Sequence, residues 1–249
     1  MYNHYIILGE AQQGREAEFL DWYEWVHIRD VMRPRPIAIA AQCFWRADVQ
    51  FPVGAAPRYP HRFLCLFENS DPEAMSGPGG AAIPPDMLIS SAADYSVPVG
   101  GGYYDTVIER TMAPGEWPDA DLIVEWVERP DASEADIQAY FDGCFAALMQ
   151  DPGMVSGWLG KASRHQIYDA PRPAYVALYR TSALDDHVYG WSELDRDVGI
   201  PSGWTRDDLS LTCFRQHSKR ITRAEVLEPD AAAAAEEEPA RKATKPMVR

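Results

Sequence analysis

Hydrophobic positions recur along this chain at two spacings, one of strands and one of helices. Tyr2 to Ala11, Ile37 to Val49, His61 to Glu68 and Tyr103 to Arg110 are β-branched and aromatic runs of strand length, separated by Gly, Pro and Asn. Between the first two lies Gly14 to Pro34, GREAEFLDWYEWVHIRDVMRP. With Phe19 at zero and 100° per residue, Tyr23, Val26 and Asp30 fall within about 40° of it and His27 at about 80°. The spacing therefore predicts one amphipathic helix, ended by Pro34 and Pro36. Asp71 to Gly102 is rich in Gly, Pro and Ser. It reads as a lid, a pocket rim or a solvated loop, with a short helix near Pro85 to Ala93. The order is βαββαβ.

The same order then begins again. Asp121 to Glu128 reads as a strand, Ser133 caps a helix running to about Gln150, and Met154 to Ser163 and Ala174 to Arg180 are strands. Asp185 to Val198 reads as a helix and Leu209 to His217 as the last strand. Corresponding starts lie 117 residues apart: His4 and Asp121, Arg15 and Ala132, Ile37 and Met154. This spacing looks like an internal duplication.

A βαββαβ unit makes a four-stranded antiparallel sheet with its helices on one face, and the other, apolar face needs a partner. Two units in one chain supply each other's partner. The expected α+β organisation is a pseudo-dimer: residues 1–115 form the first half, 116–222 the second, and 223–249 a disordered or weakly helical tail without chemistry.

Tyr23, His27 and Asp30 on one inward stripe would form a hydrogen-bonded set, since an unpaired buried carboxylate costs several kcal/mol. His27 is equally readable as a satisfied core histidine. The repeat bears on this choice, because 117 residues beyond Tyr23, His27 and Asp30 stand Tyr140, Cys144 and Ala147, and beyond His4 stands Asp121. Loss of the His and Asp together fits a working first half and a degenerate scaffold half. If the His4 face of the first strand looks toward the helices, His4 and His27 share a cavity and can act as base and acid. The alternative for His4 is a strand start in water. Phe19, Trp22, Phe44 and Trp45 are candidate substrate-contacting walls. Tyr103 and Tyr104 point oppositely, so one of them can join the pocket, and Tyr103 is the candidate. Trp25 and Ile28 fall on the far side of the helix and suit contact with the tail, a loop or another chain.

Composition narrows the classes. The net charge of −15 argues against nucleic acid or an anionic membrane as partner. No 18-residue apolar run and no cationic leader is present at Met1–His4, so a cytoplasmic protein is expected. Cys43, Cys65, Cys144 and Cys213 are far apart in apolar runs and read as buried thiols. No GxGxxG, P-loop, GxSxG or HExxH occurs. His27 and Asp30 offer too few ligands for a metal, so neither metal nor cofactor is expected. Twelve Tyr and eight Trp suit a flat apolar small molecule as partner.

The helix motif, followed by IAIAAQCFWRA and HRFLCLFE, resembles the EthD-like branch of the dimeric α+β barrel superfamily. Gly14, Arg15, Glu16, Glu18, Phe19, Trp22, Tyr23, Val26, His27, Asp30 and Val31 carry the match, which covers roughly residues 2–110. The resemblance implies ferredoxin-like halves closing an intrachain barrel, with a pocket between helices and sheet in each. It also implies His and Tyr acid/base groups acting on a hydrophobic aromatic or polyketide-like substrate. The superfamily spans cofactor-independent monooxygenases, cyclases, isomerases and haem-handling enzymes, and Arg29-Asp30 replaces the proline that often follows the motif's His. Three readings follow: a cofactor-independent lyase, isomerase or cyclase with His27 as base, held by Asp30 and aided by Tyr23 or His4; an oxygen-using enzyme, cofactor-free or with haem on His27; and a non-catalytic binding protein. The closed pseudo-dimer is compatible with a monomer or with further homodimerisation.

Overall fold

In the first half, β1 (Asn3–Gly9), β2 (Ala38–Arg46), β3 (Phe63–Asn69) and β5 (Gly100–Thr111) are long strands, and β4 (Leu88–Ile89) is a two-residue strand outside their sheet. The second half contributes β6 (Asp121–Val127), β7 (Met154–Ala162), β8 (Tyr175–Thr181) and β9 (Leu209–Gln216). The computed structural model describes residues 3–51, 59–71, 74, 87–111, 119–150, 153–166, 172–188, 201–205 and 208–246.

These eight long strands close into a barrel in the order β2-β3-β1-β5-β7-β8-β6-β9, with β9 returning to pair with β2. Each half supplies four consecutive strands. The two seams, β5–β7 and β2–β9, are antiparallel and join each half's closing strand to the other half's second strand. Closure leaves no open edge on the long strands. The architecture is α+β, two ferredoxin-like halves in one chain.

One side-chain parity from every strand fills the interior. Ile6, Leu8, Phe44, Leu64, Leu66, Tyr104, Leu122, Val124, Trp126, Trp158, Val176, Leu178 and Phe214 form one buried cluster. The opposite parity carries a helix on each half. Helix α1 comprises Glu16–Trp22, a π-helical turn Tyr23–His27, and Ile28–Met32. It packs Phe19, Tyr23, Val26 and Ile28 over Cys43, Phe63, Cys65 and Phe67. Helix α2 (Glu134–Leu148) packs Ile137, Phe141 and Phe145 over Ile123, Tyr179 and Cys213. Ser133 caps α2 by accepting from the Asp136 N–H.

Two local expectations change. Residues 87–93 hold β4 and turns rather than a helix, because β4 pairs with a strand from the tail. The part of that expectation at Pro85 and Asp86 lies outside the described residues, as does the helix expected after residue 188; 184–188 is helical. The tail, expected to be disordered or weakly helical, continues from β10 (Ile221–Thr222) into α3 (Arg223–Leu227), α4 (Ala231–Lys242) and β11 (Lys245–Pro246), and it packs on α1. Among the described residues, no helix is long and apolar enough to cross a membrane.

Gly101 lies against the backbone of the neighbouring strand in the barrel wall. Its φ is 93°, and a Cβ there would stand 2.1 Å from the Ile6 carbonyl oxygen on β1. Gly14 has a comparable φ of 81° with nothing within 4 Å. Gly101→Ala should therefore destabilise the fold by well over the ~1–2 kcal/mol that the left-handed backbone alone costs, and Gly14→Ala by about that cost only. Chemical denaturation of the two variants measures the difference, and equal losses would refute the close approach.

Candidate functional site

The π-helical turn decides what α1 presents to the sheet. The Ile28 N–H donates to the Tyr23 carbonyl, five residues back instead of four. One extra residue per turn rotates everything beyond it by about a residue relative to a uniform helix. Ile28, expected on the far face, is fully buried in the core under α1. Asp30, expected on the inward stripe, leaves it for the tail. Its Oδ1 accepts from Arg241 of α4, Arg33 lies 3.5 Å away, and its Oδ2 accepts from the Leu88 N–H at 3.4 Å. Asp30 and His27 make no hydrogen bond to each other, so the expected Tyr–His–Asp set is a Tyr–His pair with Asp30 elsewhere.

His27 itself lies in an aromatic surround. Its ring centroid is 4.8 Å from Trp22 and 4.6 Å from Tyr23. Tyr23 in turn stands 4.3 Å from Phe63, and Phe19 meets Phe63 edge-on at 5.0 Å. Behind this layer, Tyr5 and Tyr103 stack at 4.2 Å on the same side of the sheet. The His27 Nδ1 is buried without a hydrogen-bond partner. Burial, and secondarily the Arg35 cation, lower its pKa to about 4, so the imidazole is neutral at pH 7. The Trp22 indole N–H donates to the Leu88 carbonyl at 3.3 Å, which ties the aromatic group to β4.

His4 is not part of this group. It faces the barrel interior, on the other side of the sheet from His27, and stacks on Trp158 at 4.3 Å. Burial lowers its pKa to about 3. Phe44 is also interior, with the Arg180 guanidinium 5.6 Å from its ring. The expected shared cavity of His4 and His27 therefore does not form. Trp45 faces outward at the edge of the α1 core under the Arg62 guanidinium, 5.2 Å from its ring. Of the two tyrosines of β5, Tyr103 is the outward one and Tyr104 the interior one. The charged interior groups gather at the His4 end: Arg180 donates to Gln42 at 2.8 Å, and Glu68, His4's cross-strand partner, accepts from Arg220 Nε and Nη2 at 2.7 Å each.

The second half holds a group that the 117-residue offset missed. Glu125 is buried and accepts from Tyr140 at 2.7 Å and from Tyr179 at 2.9 Å. Burial, then the Glu125 charge, raises the pKa of both phenols. A signal existed, since Glu125 is a charge in the middle of the apolar run DLIVEWV. An odd offset flips strand parity: His4 is interior, whereas Asp121 faces outward and pairs with Arg215. In the first turns of the helices, 118 matches buried with buried, setting Phe19, Trp22 and Tyr23 against Ile137, Tyr140 and Phe141. Among the described residues, no three His, Cys, Asp or Glu side chains converge on a metal position.

No protein-family model matches the chain. No curated protein matches it either. Solved structures match over most of its length. An anthrone oxidase-like protein aligns at a TM-score of 0.52 and 11% identity, covering 90% of this chain and 94% of its own. A putative monooxygenase from Lactobacillus acidophilus aligns at 0.51 and 11%, covering 89% and 96%. At that identity the likeness carries the fold, the dimeric α+β barrel.

Two expected outcomes follow from these environments. A folded His27 pKa of about 4 lies below the free value of 6.5, so the unfolded chain takes the proton first. His27 then contributes a loss of stability as pH falls from 6.5 toward 4, and nothing above 6.5. The denaturation midpoint of His27→Phe should fall less than that of the parent between about pH 7 and pH 4.5; parallel curves would show that His27 is not held neutral. In the second half, Glu125→Leu leaves two buried phenols without their acceptor and should cost about 2–5 kcal/mol, against about 1 for Tyr179→Phe. Urea titrations compare the two, and a Glu125→Leu loss no larger than that of Tyr179→Phe would refute the shared-acceptor geometry.

Proposed function

We propose that the chain is an enzyme of acid/base chemistry on a flat, hydrophobic small molecule, aromatic or polyketide-like, with His27 as the base. The observation that carries this reading is the neutral His27 imidazole, its Nδ1 without a hydrogen-bond partner, set among Trp22, Tyr23 and Phe19 on a π-helical turn. π-Helical turns occur frequently at functional sites, and the match of this helix to the EthD-like pattern supports the same assignment. A neutral imidazole takes a proton from carbon beside a carbonyl or from a phenol, and the aromatic surround holds a planar substrate against it. Tyr23, its ring 4.6 Å from that of His27, is the second proton-carrying group. Asp30 acts as a positioning residue through α1 rather than through a bond to the imidazole. The carbanion left by deprotonation is reprotonated elsewhere, expels a leaving group or attacks an internal carbonyl, which gives isomerase, lyase or cyclase outcomes. None of these steps calls for a cofactor.

A second reading keeps the same base and lets the carbanion meet dioxygen. The names of the two structural neighbours, an anthrone oxidase-like protein and a putative monooxygenase, favour it. Turnover of a panel of anthrones, phenols and β-dicarbonyl compounds tests both. His27→Ala should lower turnover about 10²- to 10⁴-fold, while Cys144→Ala on α2 leaves it unchanged. Equal effects of the two substitutions would overturn the single-site reading. Undiminished turnover without oxygen removes the second reading; loss of turnover without oxygen selects it. A haem absorbance band in the purified protein would recast His27 as a ligand.

A further inference from the structure

The tail is the least apolar part of the fold, and it lies on the most chemically loaded turn. Helix α4, AAAAAEEEPARK, packs on the π-helical turn of α1. Its apolar contribution to the core beneath is Ala240 alone. Its one buried residue is Glu237, a charge. Pro239 within the helix removes a backbone N–H that would otherwise bond to residue 235. A cleft of about 180 Å³ remains between α1 and the tail, lined by Trp25, Arg29, Lys219, Asp230 and Glu236 among others. Such a helix is not held by hydrophobic burial.

Charge pairs hold it instead. Glu237 accepts from Arg33 at 2.8 and 2.9 Å and from Arg241 at 2.6 Å, and the buried Arg29 Nε lies 3.8 Å from it. Arg241 also donates to Asp30. Past the helix, β11 pairs with β4, Lys245 opposite Ile89 and Pro246 opposite Leu88. Leu88 is the same residue that binds the Trp22 indole and the Asp30 carboxylate. The tail, β4 and the Trp22–His27 face of α1 are therefore one connected unit whose outermost layer is fastened by ion pairs between buried carboxylates and half-buried arginines.

We infer that residues 231–246 form a strap that closes the His27 site and releases it when the Glu237 and Arg241 ion pairs dissociate. Salt competes for the Arg33 and Arg241 guanidinium groups, which are about one-third exposed, and segments with little apolar burial open locally while the barrel stays folded. As regulation of a catalytic site the strap rests on the reading of His27 given above. As a cover over His27 it stands independently of that reading, and the test separates the two.

The test is carbethoxylation of the full-length protein by diethyl pyrocarbonate at neutral pH, with each histidine followed by peptide mass spectrometry. His4, inside the barrel, is the reference for global unfolding. In Glu237→Gln/Arg241→Gln, and in the parent on going from about 0.05 to about 0.5 M NaCl, His27 labelling should rise at least about fivefold with His4 unchanged. If the double variant raises His4 labelling as well, the parent decides: faster amide hydrogen exchange over 231–246 at high salt, with faster His27 labelling and unchanged barrel strands, supports the strap. His27 labelling that is unchanged by salt in the parent, or unchanged in a variant that keeps His4 protected, overturns it. Faster labelling combined with full turnover by His27→Ala would leave the strap standing and remove the catalytic reading; unchanged labelling combined with loss of turnover would do the reverse.

Discussion

Closure of the barrel constrains everything else in this chain. Each of the eight long strands has two hydrogen-bonded neighbours, and the two seams join one half to the other. Closure commits each strand's two parities to different solvents: one to an interior of Trp126, Trp158, Phe44 and their neighbours, the other to a helix. A register slip of one residue in β1 or in β8 would exchange that strand's two sets and put His4 or Arg180 where Tyr5 or Tyr179 packs. The chemistry at the two helix–sheet layers is thus downstream of strand pairing. His27 meets Trp22, Tyr23 and the Phe63 layer because Phe63, Cys65 and Phe67 point outward, which in turn follows from Leu64 and Leu66 pointing in.

Much of this was legible in the residues. The strand runs, the α1 segment, and the Ser133 cap with its helix correspond to observed elements, because strand-length apolar runs between Gly and Pro leave few alternatives. Parity was not legible. In Asn3–Gly9 both faces are buried, so hydrophobic alternation carries no information, and His4 could be placed on either side. The π-helical turn was equally hidden, since a uniform 100° per residue has no place for an extra one. That single residue explains why Ile28 went inward and Asp30 outward. The docking of α4 depends on Glu237 and Arg241 meeting Asp30 and Arg33 about two hundred positions earlier, and no local pattern reports such a pairing.

The electrostatics divide along the same lines. Charged groups inside the barrel are gathered at the His4 end, where Arg180 donates to Gln42 and Arg220 to Glu68. Polar groups under the helices are placed singly: an imidazole under α1, a carboxylate between two phenols under α2. Buried polar groups of the second kind cost stability unless satisfied. The Glu125 carboxylate is satisfied by its phenols, whereas the His27 Nδ1 is left without a hydrogen bond. The imidazole tolerates that situation only by remaining uncharged.

Having both barrel halves on one polypeptide has a consequence for how the two layers can vary. In a symmetric homodimer a substitution is present twice, so an imidazole placed under one helix must also be accommodated under the other. Here each position occurs once, and the two halves meet along their seams and in the common interior. The layer under α1 is aromatic around a histidine, while the layer under α2 holds a carboxylate clasped by tyrosines, and neither has to be compatible with the other's contents. Covalent linkage thereby lets the two halves differ, at the level of single residues, within one closed barrel.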